Sequence, residues 1–167
     1  MSKVAIISDS HDNLPRINQM LEMVKKENIN TIIHCGDVCT TNTLDYFCQN
    51  FDGNIYLSMG NVDHDHKINK EIKNLKIFSK FGDLKINNLN IAFTHYPKKA
   101  KELALTEKYN FIFYGHTHQP WEENINSTKI INPGTLAGIW NRSTFAILDT
   151  TLPAGRQENK NVELIIL

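Results

Sequence analysis

Seven side chains in this 167-residue chain form the pattern with the clearest chemistry: Asp9-Ser10-His11, Gly36-Asp37, Gly60-Asn61, His95 and Gly115-His116-Thr117-His118. Imidazoles, carboxylates and one amide oxygen together suit manganese, iron or zinc. They fit neither a structural thiolate site nor an all-oxygen calcium cage. Seven donors are too many for one ion and suit two ions sharing a bridging carboxylate. Such ions, roughly 3.5–4 Å apart, can hold a hydroxide and a phosphoryl oxygen side by side. Their charge would exceed that of Asp9 and Asp37 and create a positive pocket. The chain as a whole offers no such attraction, since Lys plus Arg and Asp plus Glu are balanced at 18 each.

The donors gain meaning from the elements that carry them. Short apolar, β-branched runs at residues 4–7, 31–33, 54–57, 89–93 and 111–114 read as strands buried on both faces. Each run delivers one of the motifs just past its C-terminal end, the edge of an α/β sheet where loops converge on a crevice. Asp9 and His11 are two apart, as are His116 and His118, so each pair would face one site if its backbone were extended. The glycines before Asp37, Asn61 and His116 suit sharp turns and close backbone approach. Helices are expected at 14–27, with Ile17, Met20, Leu21 and Val24 on one face and Pro15 near its start, then at 43–49 and 98–108. The first half is thus βαβαβ, with parallel strands and right-handed crossovers. In the second half, 83–86 and 89–93 flank a tight Asn87-Asn88 turn. Strands at 128–131, 143–148 and 162–167 follow, the last after a polar surface loop at 153–160. One α/β domain over residues 1–167 is expected, with two packed sheets flanked by helices.

At these motifs the chain resembles the calcineurin-like metallophosphoesterases, and among them the small bacterial and archaeal phosphodiesterases. The family pattern D-x-H, G-D, G-N-H-D/E, a lone H and G-H-x-H stands here in order. It runs through Asp9-Ser10-His11, Gly36-Asp37, Gly60-Asn61-Val62-Asp63, His95 and Gly115-His116-Thr117-His118, followed by a similar Asn132-Pro133-Gly134-Thr135 loop. The resemblance implies a four-layer αββα sandwich of two mixed sheets. It places Asp9, His11 and His118 on a first metal, Asn61, His95 and His116 on a second, and Asp37 between them. Asp37 and Asn61 would then carry the catalysis, with Asp63 supporting them. The implied cofactor is a pair of divalent ions, manganese first, with nickel, iron or zinc as alternatives. The implied reaction is hydrolysis of a small phosphodiester by in-line attack of a metal-bridging hydroxide. Two departures stand out. Val62 replaces a His that in many members protonates the leaving group, which points to esters with good leaving groups. Tyr96-Pro97 replaces the His-Gly that many members carry after the lone His.

Other residues have plainer readings. His34 lies inside a strand and reads as packed or hydrogen-bonded. His64, Asp65 and His66 read as a loop beside the site. Cys35 and Cys39 flank Asp37 without a catalytic role, and Cys35 reads as a small buried hydrophobe. Asn13 could touch substrate or cap the helix that follows. Trp121 and Trp140 read as core or interface residues rather than as a base-stacking platform, since no basic patch accompanies them. An odd number of cysteines, no signal peptide and no long apolar run make a cytoplasmic protein the expectation. With no spare length for a cap, the crevice should be open. Small relatives often self-associate, so a homo-oligomer is implied. A scaffold of the same fold acting through protein contacts is the rival function, but such relatives lose metal histidines and this chain keeps all seven positions. A two-metal amidohydrolase would show a different motif order.

Overall fold

The computed structural model describes residues 3–63, 72–152 and 161–167. His64, Asp65, His66 and the loop at 153–160 lie outside the described residues. The first sheet has the order β11-β10-β1-β2-β3-β4 and the second β5-β6-β7-β9-β8. In the first, β1 (Lys3–Ile7), β2 (Thr31–His34), β3 (Asn54–Ser58) and β4 (Leu75–Phe78) run parallel. β10 (Thr144–Asp149) and β11 (Val162–Ile166) join antiparallel. In the second, β6 (Leu89–Thr94), β7 (Phe111–Phe113) and β9 (Thr128–Asn132) are parallel. β5 (Phe81–Ile86) and β8 (Trp121–Ile125) close its edges antiparallel. Both sheets are mixed, as expected.

Strand alternation builds the layers. On β1, Val4 and Ile6 face the second sheet and meet Ile91 and Phe93 of β6, Phe111 and Phe113 of β7, and Ile131 of β9. Ala5 and Ile7 face the other way, into a cluster with Ile17, Met20, Leu21 and Val24 of α1 (Leu14–Lys26) and Phe47 of α2 (Thr41–Asn50). On the far side, Ala92, Ile112 and Ile130 pack against Ala100, Leu103 and Ala104 of α3 (Pro97–Ala104). The order helices, sheet, sheet, helix is the expected four-layer sandwich. Each strand residue is committed to one interface by the period of two.

The departures from expectation are local. β4 and β8 are edge strands with mostly partial or full exposure, so neither carries the continuous apolar run that marks a buried strand. α3 ends at Ala104 rather than 108. There the Thr106 and Glu107 amides turn back onto the Leu103 and Ala104 carbonyls, and Glu107 adopts a left-handed φ of 56°. The two-residue turn at Asn87-Asn88 is present, with Ile86 opposite Leu89 and Asn87 at φ 53°. Trp121 is 55% and Trp140 86% exposed, so neither belongs to the core. Both stand outside regular buried positions, one on an edge strand and one in a loop, and hydrophobicity alone misplaces them.

Phe113 is fully buried between the sheets. Phe113→Ala should lower the unfolding free energy by about 3–5 kcal/mol. A lower urea midpoint with an unchanged slope would be the signature.

Candidate metal centre

Parallel strands of both sheets end on the same side of the molecule, and the motifs follow β1, β2, β3, β6 and β7 directly. The first two loops are zipped together. The Asp9 amide donates to Gly36 O (2.9 Å), His11 N to Asp37 O (3.1 Å) and Asp12 N to Val38 O (3.3 Å). His34 pins the same pair of loops. Its Nδ1 accepts from Gly36 N at 3.1 Å, which leaves Nε2 to donate to Ser10 Oγ at 3.0 Å. Burial lowers its pKa to about 4, so the ring stays neutral. His34 is therefore a structural residue, as its sequence position suggests.

Asp63 ties the loop after β3 to the loop after β2. Its fully buried carboxylate accepts four backbone amides: Val38 and Cys39 on Oδ1 (2.8 and 2.9 Å), Asp37 and Gly60 on Oδ2 (both 2.8 Å). It fixes the loops of β2 and β3 to one another without pointing a free oxygen at the centre. Three glycines make room for the donors. A Cβ on Gly60 would run into Asp37 Oδ1, one on Gly115 would meet Asp9 Oδ2, and one on Gly36 would lie 2.7 Å from His95 Nδ1. The close approach expected from sequence is thus a steric requirement here.

The donors gather in two groups. In the first, His11 Nε2 lies 3.2 Å from His118 Nε2, and Asp9 Oδ1 lies 3.1 Å from His118 Nε2 and 3.8 Å from His11 Nε2. In the second, Asn61 Oδ1 lies 3.0 Å from both His95 Nε2 and His116 Nδ1, which are 3.2 Å apart. Asp37 Oδ2 stands between the groups, 3.4 Å from His95 Nε2 and 3.9 Å from His11 Nε2. Atoms about 2.1 Å from a shared ion, at tetrahedral or octahedral angles, sit about 3.0–3.4 Å from each other. Most of these separations are of that size.

Hydrogen bonds on the far side of the rings show which nitrogen faces inward as a lone pair. His95 Nδ1 donates to Cys35 O (2.9 Å) and His118 Nδ1 to Ile139 O (3.3 Å), which leaves both Nε2 atoms as acceptors aimed at oxygens and other ring nitrogens. Acceptor faces acceptor unless a cation lies between them. Asp9 Oδ1 expresses the same demand, being buried without a hydrogen-bond partner. The donor set therefore fits divalent metal. His11 Nδ1 differs in meeting the Cys39 thiol at 3.2 Å. Burial, then nearby carboxylates, push that thiol up to about 12, so it stays protonated.

Asp9 and His11 share one group, as their spacing suggests, whereas His116 and His118 do not, and neither segment is extended. Asp9, His11, Asp37, His116 and His118 all have left-handed φ, at 53°, 40°, 60°, 72° and 58°. His116 and His118 consequently turn to different groups rather than to one. Asn13 has both amide atoms engaged. Its Oδ1 caps α1 through Arg16 N (3.3 Å) and its Nδ2 donates to Ala137 O (2.9 Å), which is the capping role weighed from sequence. The sequence did not single out the contact of Cys39 with His11. Nor did it reveal the ring of Trp140 beside His118, at 4.8 Å between centroids, since neither residue belongs to a spaced motif.

Charge at the site couples metal to protons. Burial pulls the His95 pKa down, but Asp37's hydrogen bond and charge more than offset it and the net shift is upward. The Asp9 carboxylate raises His118, while Asp9 is itself held well below the usual range because its histidine contacts outweigh burial. A raised histidine holds its proton more tightly, and a ligating histidine must release it. Metal affinity measured by calorimetry should therefore fall as pH drops from about 8 to about 5, by up to roughly tenfold per pH unit for each proton displaced. Constant affinity across that range would rule out histidine ligation.

Comparisons with known proteins place the chain in a family and match its fold. Residues 2–152 match the calcineurin-like phosphoesterase superfamily domain. Phosphodiesterase MJ0936 of Methanocaldococcus jannaschii is 34% identical over 155 residues, spanning 89% of this chain and 93% of that protein. The solved structure of an archaeal phosphodiesterase superposes with a TM-score of 0.84 at 32% identity, covering 99% of both chains. Vacuolar protein sorting 29 of Cryptosporidium parvum shares the fold, with a TM-score of 0.72 over 99% of this chain and 96% of its own, at 16% identity. With its family matched along most of its length and its motif donors gathered at one end of the sandwich, the chain is a member of the calcineurin-like phosphoesterase superfamily.

Proposed function

We propose that this enzyme is a two-metal phosphodiesterase, and the observation that carries the reading is the pair of donor groups with Asp37 between them. Asp9, His11 and His118 would hold one divalent ion, Asn61, His95 and His116 the other, and Asp37 would bridge. Manganese is the first choice, with nickel, iron or zinc as alternatives. When bound, the ions supply Lewis acidity, lowering the pKa of water and neutralising charge on the phosphoryl oxygens.

The chain's own residues do the positioning. His95 and His118 are held in the ligating tautomer by the carbonyls of Cys35 and Ile139. Asp37 is kept in place by the Val62 amide on Oδ1 (3.1 Å), while its own amide is fixed by Asp63. Donors fixed in advance need no reorganisation as charge develops along an in-line displacement. The side chain of Val62, 38% exposed beside this loop, has no proton to give a departing alkoxide. Esters whose leaving group is already a stable anion fit such a site, and aryl diesters are of that kind.

The likeness to phosphodiesterase MJ0936 supports diester over monoester. The vacuolar sorting protein shares only the fold at its identity, and the complete donor set favours catalysis over a scaffold. Among the described residues no helix is long and apolar enough to cross a membrane, and the three cysteines are free. A reducing cytoplasm suits those thiols.

Metal-stripped protein should hydrolyse bis-p-nitrophenyl phosphate only after Mn²⁺, Ni²⁺, Fe²⁺ or Zn²⁺ is added, faster than the matching monoester. Asp37→Ala should reduce turnover by at least about a hundredfold. Two bound ions with no turnover would shift the reading to a scaffold. Val62→His should raise kcat for diesters with alkyl leaving groups by about tenfold or more, since general acids contribute in that range. An unchanged dependence of rate on leaving-group pKa would show that the missing proton donor does not matter.

A further inference from the structure

Trp140 combines three features that a surface tryptophan seldom shows together. Its side chain is 86% exposed, its backbone is left-handed at φ 63°, and its ring lies 4.8 Å from the His118 ring at an angle of only 30°. A single exposed hydrophobe needs no explanation. A bulky residue forced into left-handed backbone is an outlier, and one beside a donor of the centre points to function.

The loop that carries it is built to hold its position. Leu136 N donates to Ser8 O (2.8 Å), Ala137 N to Asp9 O (3.0 Å) and Thr135 Oγ1 to Asp9 O (3.0 Å). Asn13 Nδ2 braces Ala137 O, and Ile139 O takes the His118 Nδ1 proton. The indole is thus fixed to the same backbone that carries Asp9, while its outer face stays in solvent. Tyr96, 39% exposed, flanks the opposite group, its ring 5.1 Å from His95 and 5.7 Å from His116. An aromatic side chain stands at each end of the centre.

We propose that Trp140 is a stacking platform for an aromatic arm of the substrate, and that it makes the enzyme prefer diesters bearing a ring on the alcohol that does not depart. This rests on the phosphodiesterase reading. A diester's second alcohol must lead away from the phosphorus, and on the side of His118 it meets the indole of Trp140. Stacking accepts any flat π-face, so a nucleobase and a simple aryl group share the chemistry. The balanced charge of the chain favours a small ester over a long nucleic acid.

The test varies one arm and keeps the leaving group fixed. Methyl, phenyl and thymidine-5′ esters of p-nitrophenyl phosphate all release the same phenol. For the metal-loaded protein, the kcat/KM of the phenyl or thymidine ester relative to the methyl ester should exceed one. In Trp140→Ala that ratio should drop about tenfold through KM, with Trp140→Phe keeping most of it. The ester showing the larger drop identifies aryl or nucleoside as the preferred arm. In Trp121→Phe, Trp140 is the sole indole, and its fluorescence should be quenched by thymidine 5′-monophosphate but not by methyl phosphate. An unchanged ratio in Trp140→Ala, or equal losses on all three esters, would overturn the platform while leaving phosphodiesterase activity in place. A wild-type dimer that loses its second copy on Trp140→Ala would also overturn it, by assigning the indole to an interface. Failure of the wild type to cleave any of the three esters would overturn the phosphodiesterase reading itself.

Discussion

Four backbone amides converge on one buried carboxylate, and the rest of the centre depends on that arrangement. Asp63 takes hydrogen bonds from Asp37, Val38, Cys39 and Gly60, each at 2.8–2.9 Å. Bonds from N–H to an ionised carboxylate are about twice as strong as neutral ones. Through them a single side chain fixes the loops after β2 and β3, which carry Asp37 and Asn61. Removing it would leave four amides without this partner, and the two buried ones, of Asp37 and Val38, would cost about 1–3 kcal/mol each.

That reinforcement has to offset a real cost. Five of the seven donors stand in left-handed backbone, which opposes L-residues by roughly 1–2 kcal/mol apiece. The sum, about 5–10 kcal/mol, is comparable with the whole stability of an ordinary domain. The strain persists because the surroundings over-determine it. The β1 and β2 loops are zipped by backbone bonds, His34 joins Ser10 to Gly36, and Thr135 to Ala137 clasp Ser8 and Asp9. Further repulsion comes from acceptor pairs whose tautomers are fixed, with His95 Nε2 3.0 Å from Asn61 Oδ1 and 3.4 Å from Asp37 Oδ2, and His118 Nε2 3.1 Å from Asp9 Oδ1. Divalent cations would relieve it, so metal binding and stability are coupled.

The sandwich supplies the rigidity behind these loops. Strand alternation puts one face of each sheet into the shared core and the other against helices, so the ends of β1, β2, β3, β6 and β7 are anchored from both sides. Two sheets packed face to face let His95, from the second, share Asp37 with donors from the first. A single sheet could not surround the site in this way.

The amino-acid sequence by itself determined the donor types, their order along the chain and the buried strands that deliver them. Period-two alternation, apolar runs and glycine placement are local signals. They also reveal the α1 cap at Asn13 and the turn at Asn87-Asn88. The family resemblance already implies how the donors divide, and only the tertiary structure supplies the backbone geometry behind that division. His116 and His118, adjacent in any local reading, turn to opposite groups because left-handed backbone reverses the direction that an extended segment would impose. Edge strands β4 and β8 carried no continuous apolar run, since solvent covers part of them. The fourfold bonding of Asp63, the tautomers of His95 and His118 and the exposed indole of Trp140 all depend on partners distant in sequence. No local pattern encodes such partners, because what fixes them is the packing of one sheet against the other.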